Sequence, residues 1–99
     1  MKNTYELVWT NEALKGLESI LDYLQNNFPI QVTRKFVTQL DKQLKMILQN
    51  PALFPASEIY NEVRRMIVHR LTTVYYVVRD QQIILITIID NRMDLHVLE

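Results

Sequence analysis

The sequence has no cysteine among its 99 residues, which excludes disulfides and thiolate metal sites and agrees with a reducing compartment. It has one glycine, Gly16, so no glycine-rich loop is available to cradle phosphates, and this argues against a nucleotide-binding enzyme. The two histidines, His69 and His96, have no close ligand spacing around them. No metal and no other cofactor is expected. Eleven basic and eleven acidic residues leave no net charge, so any contact with nucleic acid has to come from a local patch. No apolar stretch approaches the roughly 20 residues of a membrane span, and MKNTYELVW has no apolar signal core. A soluble, cytoplasmic protein is expected. What remains is a chain with 48% hydrophobic residues, too apolar for a disordered segment and of a length that makes one domain.

The densest information lies between Glu62 and Asp90. Val63 to His69, Thr73 to Val78 and Ile83 to Ile89 are rich in β-branched and aromatic residues and read as three consecutive strands. Tight turns are expected at Arg70 to Thr72 and at Arg79 to Gln82, with Asp80 as a turn residue. The run Ile83-Ile84-Leu85-Ile86 does not alternate apolar with polar, so both of its faces need cover. A chain this short covers one face with its own helices, and the other face points to a partner polypeptide. Between Val63 and Arg79 the charged residues are Arg64, Arg65, Arg70 and Arg79, joined by His69, with no Asp or Glu among them. Such a basic strand edge on a neutral protein suggests an anionic target or an acidic binding segment.

Upstream, Tyr5 to Trp9 reads as a short strand with Tyr5, Leu7 and Trp9 on one side. Thr10 is placed to cap a helix on which Ala13, Leu14, Leu17, Ile20, Leu21 and Leu24 recur at helical spacing. Gly16 inside it costs about 1 kcal/mol relative to alanine. Pro29 ends this helix, and a second runs from about Ile30 to Gln49 with Phe36, Val37, Leu40, Leu44, Ile47 and Leu48 on one face. Asn50-Pro51 closes it, and Ala52 to Tyr60 forms a loop with Leu53 and Phe54 tucked against the core. The fold class is α+β, in the order β-α-α-β-β-β: one domain, with an N-terminal helical hairpin on one face of an antiparallel sheet.

The order of elements, with Trp9-Thr10, Ala13, Leu17, Ile20 and Tyr23, then Leu48, Asn50, Pro51 and Phe54, then Val63-Arg64-Arg65, Val74-Tyr75-Tyr76 and Ile89-Asp90-Asn91-Arg92, resembles the RelE/ParE superfamily of type II toxins. These echoes span nearly the whole chain. The resemblance implies a toxin neutralised by a cognate antitoxin. RelE-like members cleave mRNA on the ribosome, whereas ParE-like members act on DNA gyrase and lack that nuclease set. In nuclease members an arginine stands shortly before the strand tyrosine that Tyr75 resembles; here Thr72 and Thr73 occupy those positions. The ParE-like branch is therefore expected, acting by binding. Its target would meet Arg64, Arg65, Arg70, Arg79 and Arg92, and its antitoxin would lie on Ile83, Leu85, Tyr75 and Tyr76. The alternatives are a ribosome-dependent endoribonuclease using Arg65, His69, Arg92 and His96, and a non-toxic relic that still binds antitoxin. RNA cleavage needs a base, a cation at phosphorus and an acid for the leaving oxygen, which is the reason for that set.

Plainer roles exist for the same residues. Arg64 and Arg65 point to opposite faces of a strand, so only one of them can join a given site and the other can pair with Glu58 or Glu62. Tyr75 and Tyr76 have the β-propensity of packing residues. His69, at a strand end, can simply be solvated, and Asp90 with Arg92 can form a local ion pair worth about 0–1 kcal/mol.

Overall fold

A computed structural model of the chain describes residues 5–56 and 62–91. The elements are β1 (Glu6–Trp9), α1 (Asn11–Asn27), α2 (Ile30–Gln49), β2 (Arg64–His69), β3 (Thr72–Arg79) and β4 (Gln82–Asp90). The four strands form one sheet in the order β1-β4-β3-β2. β2, β3 and β4 make an antiparallel meander, but β1 runs parallel to β4, pairing Leu7 with Ile83 and Trp9 with Leu85. The sheet is thus mixed, where the sequence reading expected it to be antiparallel throughout. The intervening helices and strands act as the long connection that a parallel pair requires, and they return the chain so that β4 runs in the same direction as β1.

The start of α1 is fastened to the middle of the sheet. Thr10 Oγ1 accepts from the Ala13 N–H at 3.1 Å, which caps the helix, and lies 2.8 Å from the Leu85 carbonyl and 2.9 Å from that of Ile86 as donor. Those carbonyls sit at a β-bulge: Tyr76 pairs with Leu85 and Tyr75 with Thr87, leaving Ile86 as the extra residue. The hydroxyl is hydrogen-bonded to the irregular backbone that the bulge creates. One turn further on, Gly16 is pressed against β4, where an added Cβ would stand 2.7 Å from Ile88 Cγ2 and 3.0 Å from the Ile88 carbonyl oxygen. The glycine in this helix therefore permits close approach of α1 to the sheet.

Ala13, Ile20 and Leu24 of α1 and Phe36, Leu40, Leu44 and Ile47 of α2 meet Met66, Val68, Val74, Tyr76, Ile83, Leu85 and Ile88 in the core. Tyr5, Leu7 and Trp9 pack against it, on the side the alternation indicates. Three expectations are corrected. Leu14, on the margin of the α1 stripe, is 44% exposed and Val37, placed on the apolar face of α2, is 45% exposed, and in the loop after α2 only Phe54 packs against the core while Leu53 is 41% exposed. α1 ends with the Phe28 N–H donating to the Leu24 carbonyl before Pro29. At the β3–β4 turn Asp80 adopts φ 56°, the left-handed region that Asp tolerates better than most residues.

Candidate functional site

Among the described residues the helices cover one face of the sheet only. Strand alternation and the observed register place Val77, Ile84 and Val8 side by side on the other face, with Ile67, Thr73 and Ile89 in a second row. Between these rows lie Arg65, Tyr75 and Thr87. Ile67 is 46% and Ile89 39% exposed, and Tyr75, Val77, Ile84 and Ile86 are half-buried. This face is an apolar strip with Arg65 beside Tyr75. Arg79 is at one corner, where its guanidinium holds Glu62 at 3.1 Å in an exposed ion pair. A solvent-facing patch of this composition is the mark of an interaction surface.

Three of the four residues expected to meet a partner polypeptide lie elsewhere. Ile83, Leu85 and Tyr76 are 0% exposed, buried beneath the chain's own helices, and Tyr75 alone of that set reaches the open face. The reason is phase. A strand that is apolar on both sides carries no alternation to say which side its helices take, and here the pairing of β1 with β4 turns Ile83 and Leu85 inward. The open face is instead furnished by Ile84, Ile86, Ile67, Val77 and Ile89. The unbroken β4 run announced that these groups existed, though not which of them face outward.

The arginines do not form one patch. Arg64, opposite Tyr76 in the register, faces the helix side, and its guanidinium donates to the Phe54 carbonyl at 2.6 Å. Tyr76 Oη donates to the Pro51 carbonyl at 2.8 Å, and the Arg65 N–H donates to the Pro55 carbonyl at 3.2 Å. Together these bonds hold the loop after α2. Burial pushes the Tyr76 hydroxyl above its ordinary pKa, against the opposing pull of the Arg64 charge and the Phe54 backbone. A cleft of about 420 Å³ opens beside Arg64, lined also by Tyr5, Gln49, Asn50, Pro51, Ala52 and Val78. Arg70 stands in the turn before β3 and Arg79 is the last residue of that strand, on the order of 25 Å apart at the usual rise per residue.

The two described residues considered for catalysis are also separated. Arg65 lies on the open face, whereas His69 is turned towards α2 by a second bulge, at which Ile67 pairs with Thr73 and His69 with Thr72. The His69 ring borders a groove with Lys35 and Gln39, and its Nδ1 accepts the Leu71 N–H at 3.2 Å, bracing the β2–β3 turn. Arg92 and His96, like Glu58, lie outside the described residues. Asp90 is buried and accepts the Thr72 hydroxyl at 2.6 Å. Among the described residues no three His, Asp or Glu side chains are grouped as metal ligands, and no helix is long and apolar enough to cross a membrane.

Comparison with known proteins adds a family. No curated protein matches the sequence. Solved structures share the fold. The chromosomal ParDE toxin–antitoxin system of P. aeruginosa superposes with a TM-score of 0.74 at 22% identity, over 90% of this chain and 98% of the other. The YoeB dimer of Staphylococcus aureus gives a TM-score of 0.60 at 18% identity, over 85% and 93% of the two chains. The E. coli DinJ–YafQ toxin–antitoxin complex gives 0.62 at 8% identity, over 91% and 96%. A family model, the ParE toxin of the type II toxin–antitoxin system parDE, matches residues 7–95, nearly the full sequence and, apart from Glu6, every strand and helix described above. The chain therefore belongs to the ParE toxin family of type II toxin–antitoxin systems.

Proposed function

We propose that this toxin arrests growth by binding an essential target of the DNA gyrase type, not by cutting RNA, and that a cognate antitoxin neutralises it. The carrying observation is the separation of the two described residues that cleavage would need to bring together. The guanidinium of Arg65 and the imidazole of His69 lie on opposite faces of the sheet, and Arg64 and Tyr76 are committed to holding the loop after α2. General acid–base work on a 2′-hydroxyl and a leaving oxygen requires both groups within hydrogen-bond reach of one phosphodiester. A binding toxin needs only a complementary surface, and the open sheet face with Arg65 at its centre supplies one. The solved assemblies of similar fold include ParDE, YoeB–YefM and DinJ–YafQ, which supports an antitoxin as the physiological partner.

The test has two arms. Purified toxin is added to a gyrase supercoiling reaction and, separately, to a reconstituted translation system whose message is read by primer extension. Loss of supercoiling with intact message is the expected result. Cleavage of ribosome-bound message with unaffected gyrase would transfer the protein to the endoribonuclease reading, and normal growth after induction without antitoxin would leave a relic.

A further inference from the structure

The helical hairpin is apolar along the outer side of its seam. α2 turns Val32, Lys35 and Gln39 towards Val68 and His69 of β2. With about 3.6 residues per turn, Ile30, Val37 and Leu48 fall on its opposite flank, the one beside α1. α1 lies over β4 and runs antiparallel to α2, so the common handedness turns Leu14, Leu17 and Leu21 towards α2. Leu17, Leu21 and Leu48 are only partly buried against the core, and Leu14, Ile30 and Val37 are exposed. These aliphatic groups form a strip between the helices on the side away from the sheet, and such a strip on an otherwise polar helical surface marks a docking face.

The charges beside the strip are sorted by sign. α1 carries Glu12, Glu18 and Asp22 against Lys15 alone, whereas α2 carries Arg34, Lys35, Lys42 and Lys45 against Asp41 alone. Asp41 is already held by Lys45 at 3.2 Å. Glu18, Asp22, Arg34 and Lys42 are exposed and enter no ion pair with a described residue. A surface with an acidic helix beside a basic one is complementary to itself. A twofold axis parallel to the helices lays α1 of one copy antiparallel on α2 of the other, while an axis across them would set acidic α1 on acidic α1. In the first arrangement, residues at one height in the hairpin meet across the interface. The link through Phe28 and Pro29 is so short that Asp22 and Arg34 stand at nearly one height, as do Leu21 and Val37. Asp22 then faces Arg34 of the second copy, Leu21 faces its Val37, and Glu18 lies within a helical turn of its Lys42. The area is also sufficient. Helices of 17 and 20 residues, at about 1.5 Å rise and about 10 Å width, bury roughly 1,000–1,200 Å² over the two copies, the lower end of specific interfaces.

We infer that the toxin pairs with a second copy of itself through the outer seam of the α1–α2 hairpin, as an antiparallel four-helix layer with Asp22–Arg34 pairs at its rim. The pairing concerns the toxin alone and is independent of its cellular target.

Sedimentation velocity of the full-length toxin between about 1 and 100 µM tests it, since an interface of this size associates in the micromolar range or tighter. The wild type should pass from monomer to dimer over that range. Val37→Glu and Leu14→Glu, at exposed positions outside the core, should each weaken the dimer by about tenfold or more. Asp22→Arg and Arg34→Asp should each weaken it similarly. An equimolar mixture of these two variants should dimerise again, because every heterodimer then holds one reversed pair and one native pair. A charge effect confined to a single chain is not rescued by mixing. A wild type still monomeric at the top of the range would overturn the inference, as would a dimer indifferent to Val37→Glu and Leu14→Glu. A mixture that stays monomeric would overturn the antiparallel arrangement. A monomeric toxin in which Val37→Glu weakens only the complex with the antitoxin would assign the seam to the antitoxin and not to a second copy.

Discussion

Substituting Gly16 by alanine sets two effects of known sign against each other. In an exposed helix the change would stabilise by about 1 kcal/mol, the difference in helix propensity. Here the new methyl group would stand 2.7 Å from Ile88 Cγ2 and 3.0 Å from the Ile88 carbonyl oxygen, well inside van der Waals separation. Neither atom is the tip of a flexible chain: Cγ2 hangs directly from the branched Cβ, and the carbonyl belongs to a strand held by β3. Overpacking of this kind costs about 1–3 kcal/mol. Subtracting the propensity gain leaves a net loss of about 0–2 kcal/mol, which for a chain of this size lowers Tm by several degrees, at roughly 4–8 °C per kcal/mol. Urea titration and calorimetry of the single variant measure the sum. The two terms are separated by repeating the substitution in an Ile88→Leu background, which removes the branched methyl at nearly constant volume. There the loss should shrink or reverse. A Gly16→Ala protein stabilised by the full propensity difference, with no dependence on Ile88, would refute the close contact between α1 and β4.

Other perturbations probe the remaining joints. Tyr76→Phe removes the hydroxyl that donates to the Pro51 carbonyl and should cost about 0.5–1.5 kcal/mol by chemical denaturation. The same residue gives a pH signature. Its folded pKa is raised above the ordinary 10.0, so the unfolded chain loses this proton first, and stability should decline as pH rises from about 10 towards the folded value. That part of the alkaline loss should be missing in Tyr76→Phe, and equal slopes for the two proteins would count against burial as the cause. Thr10→Val keeps the shape of the side chain but removes both the α1 cap and the bond to the bulged carbonyls, and should cost about 1–3 kcal/mol. Arg79→Ala breaks only an exposed pair with Glu62 and should change stability by no more than about 1 kcal/mol, less at high salt.

Much of the architecture was legible in the residues. The helix spans followed from apolar spacing bounded by Thr10, Pro29 and Pro51, and the strands from β-branched runs punctuated at Arg70 and Asp80. The direction of β1 was not legible, because alternation along a strand says nothing of which way its neighbour runs. Nor were the two bulges, since an extra residue in a ladder leaves no trace in composition, yet the one in β2 decides that His69 faces α2. The opposed pointing of Arg64 and Arg65 did follow from strand geometry, and it is what divides the basic cluster between the two faces. For β4 the need for cover on both sides was readable from Ile83 to Ile86, while the choice of Ile84 and Ile86 as the outward pair depended on long-range pairing.

The alliance of β1 with β4 joins residues more than seventy positions apart, as the Thr10 hydroxyl at the Ile86 carbonyl illustrates. A ribosome making this chain releases the helical hairpin well before the strand that forms its floor. Until β4 emerges, Ile20, Leu24, Phe36 and Ile47 have no sheet to rest on, and a half-made molecule exposes them to solvent. Truncated products of an interrupted message should therefore be cleared by proteases and harmless to the cell, and harm should begin only with nearly full-length synthesis.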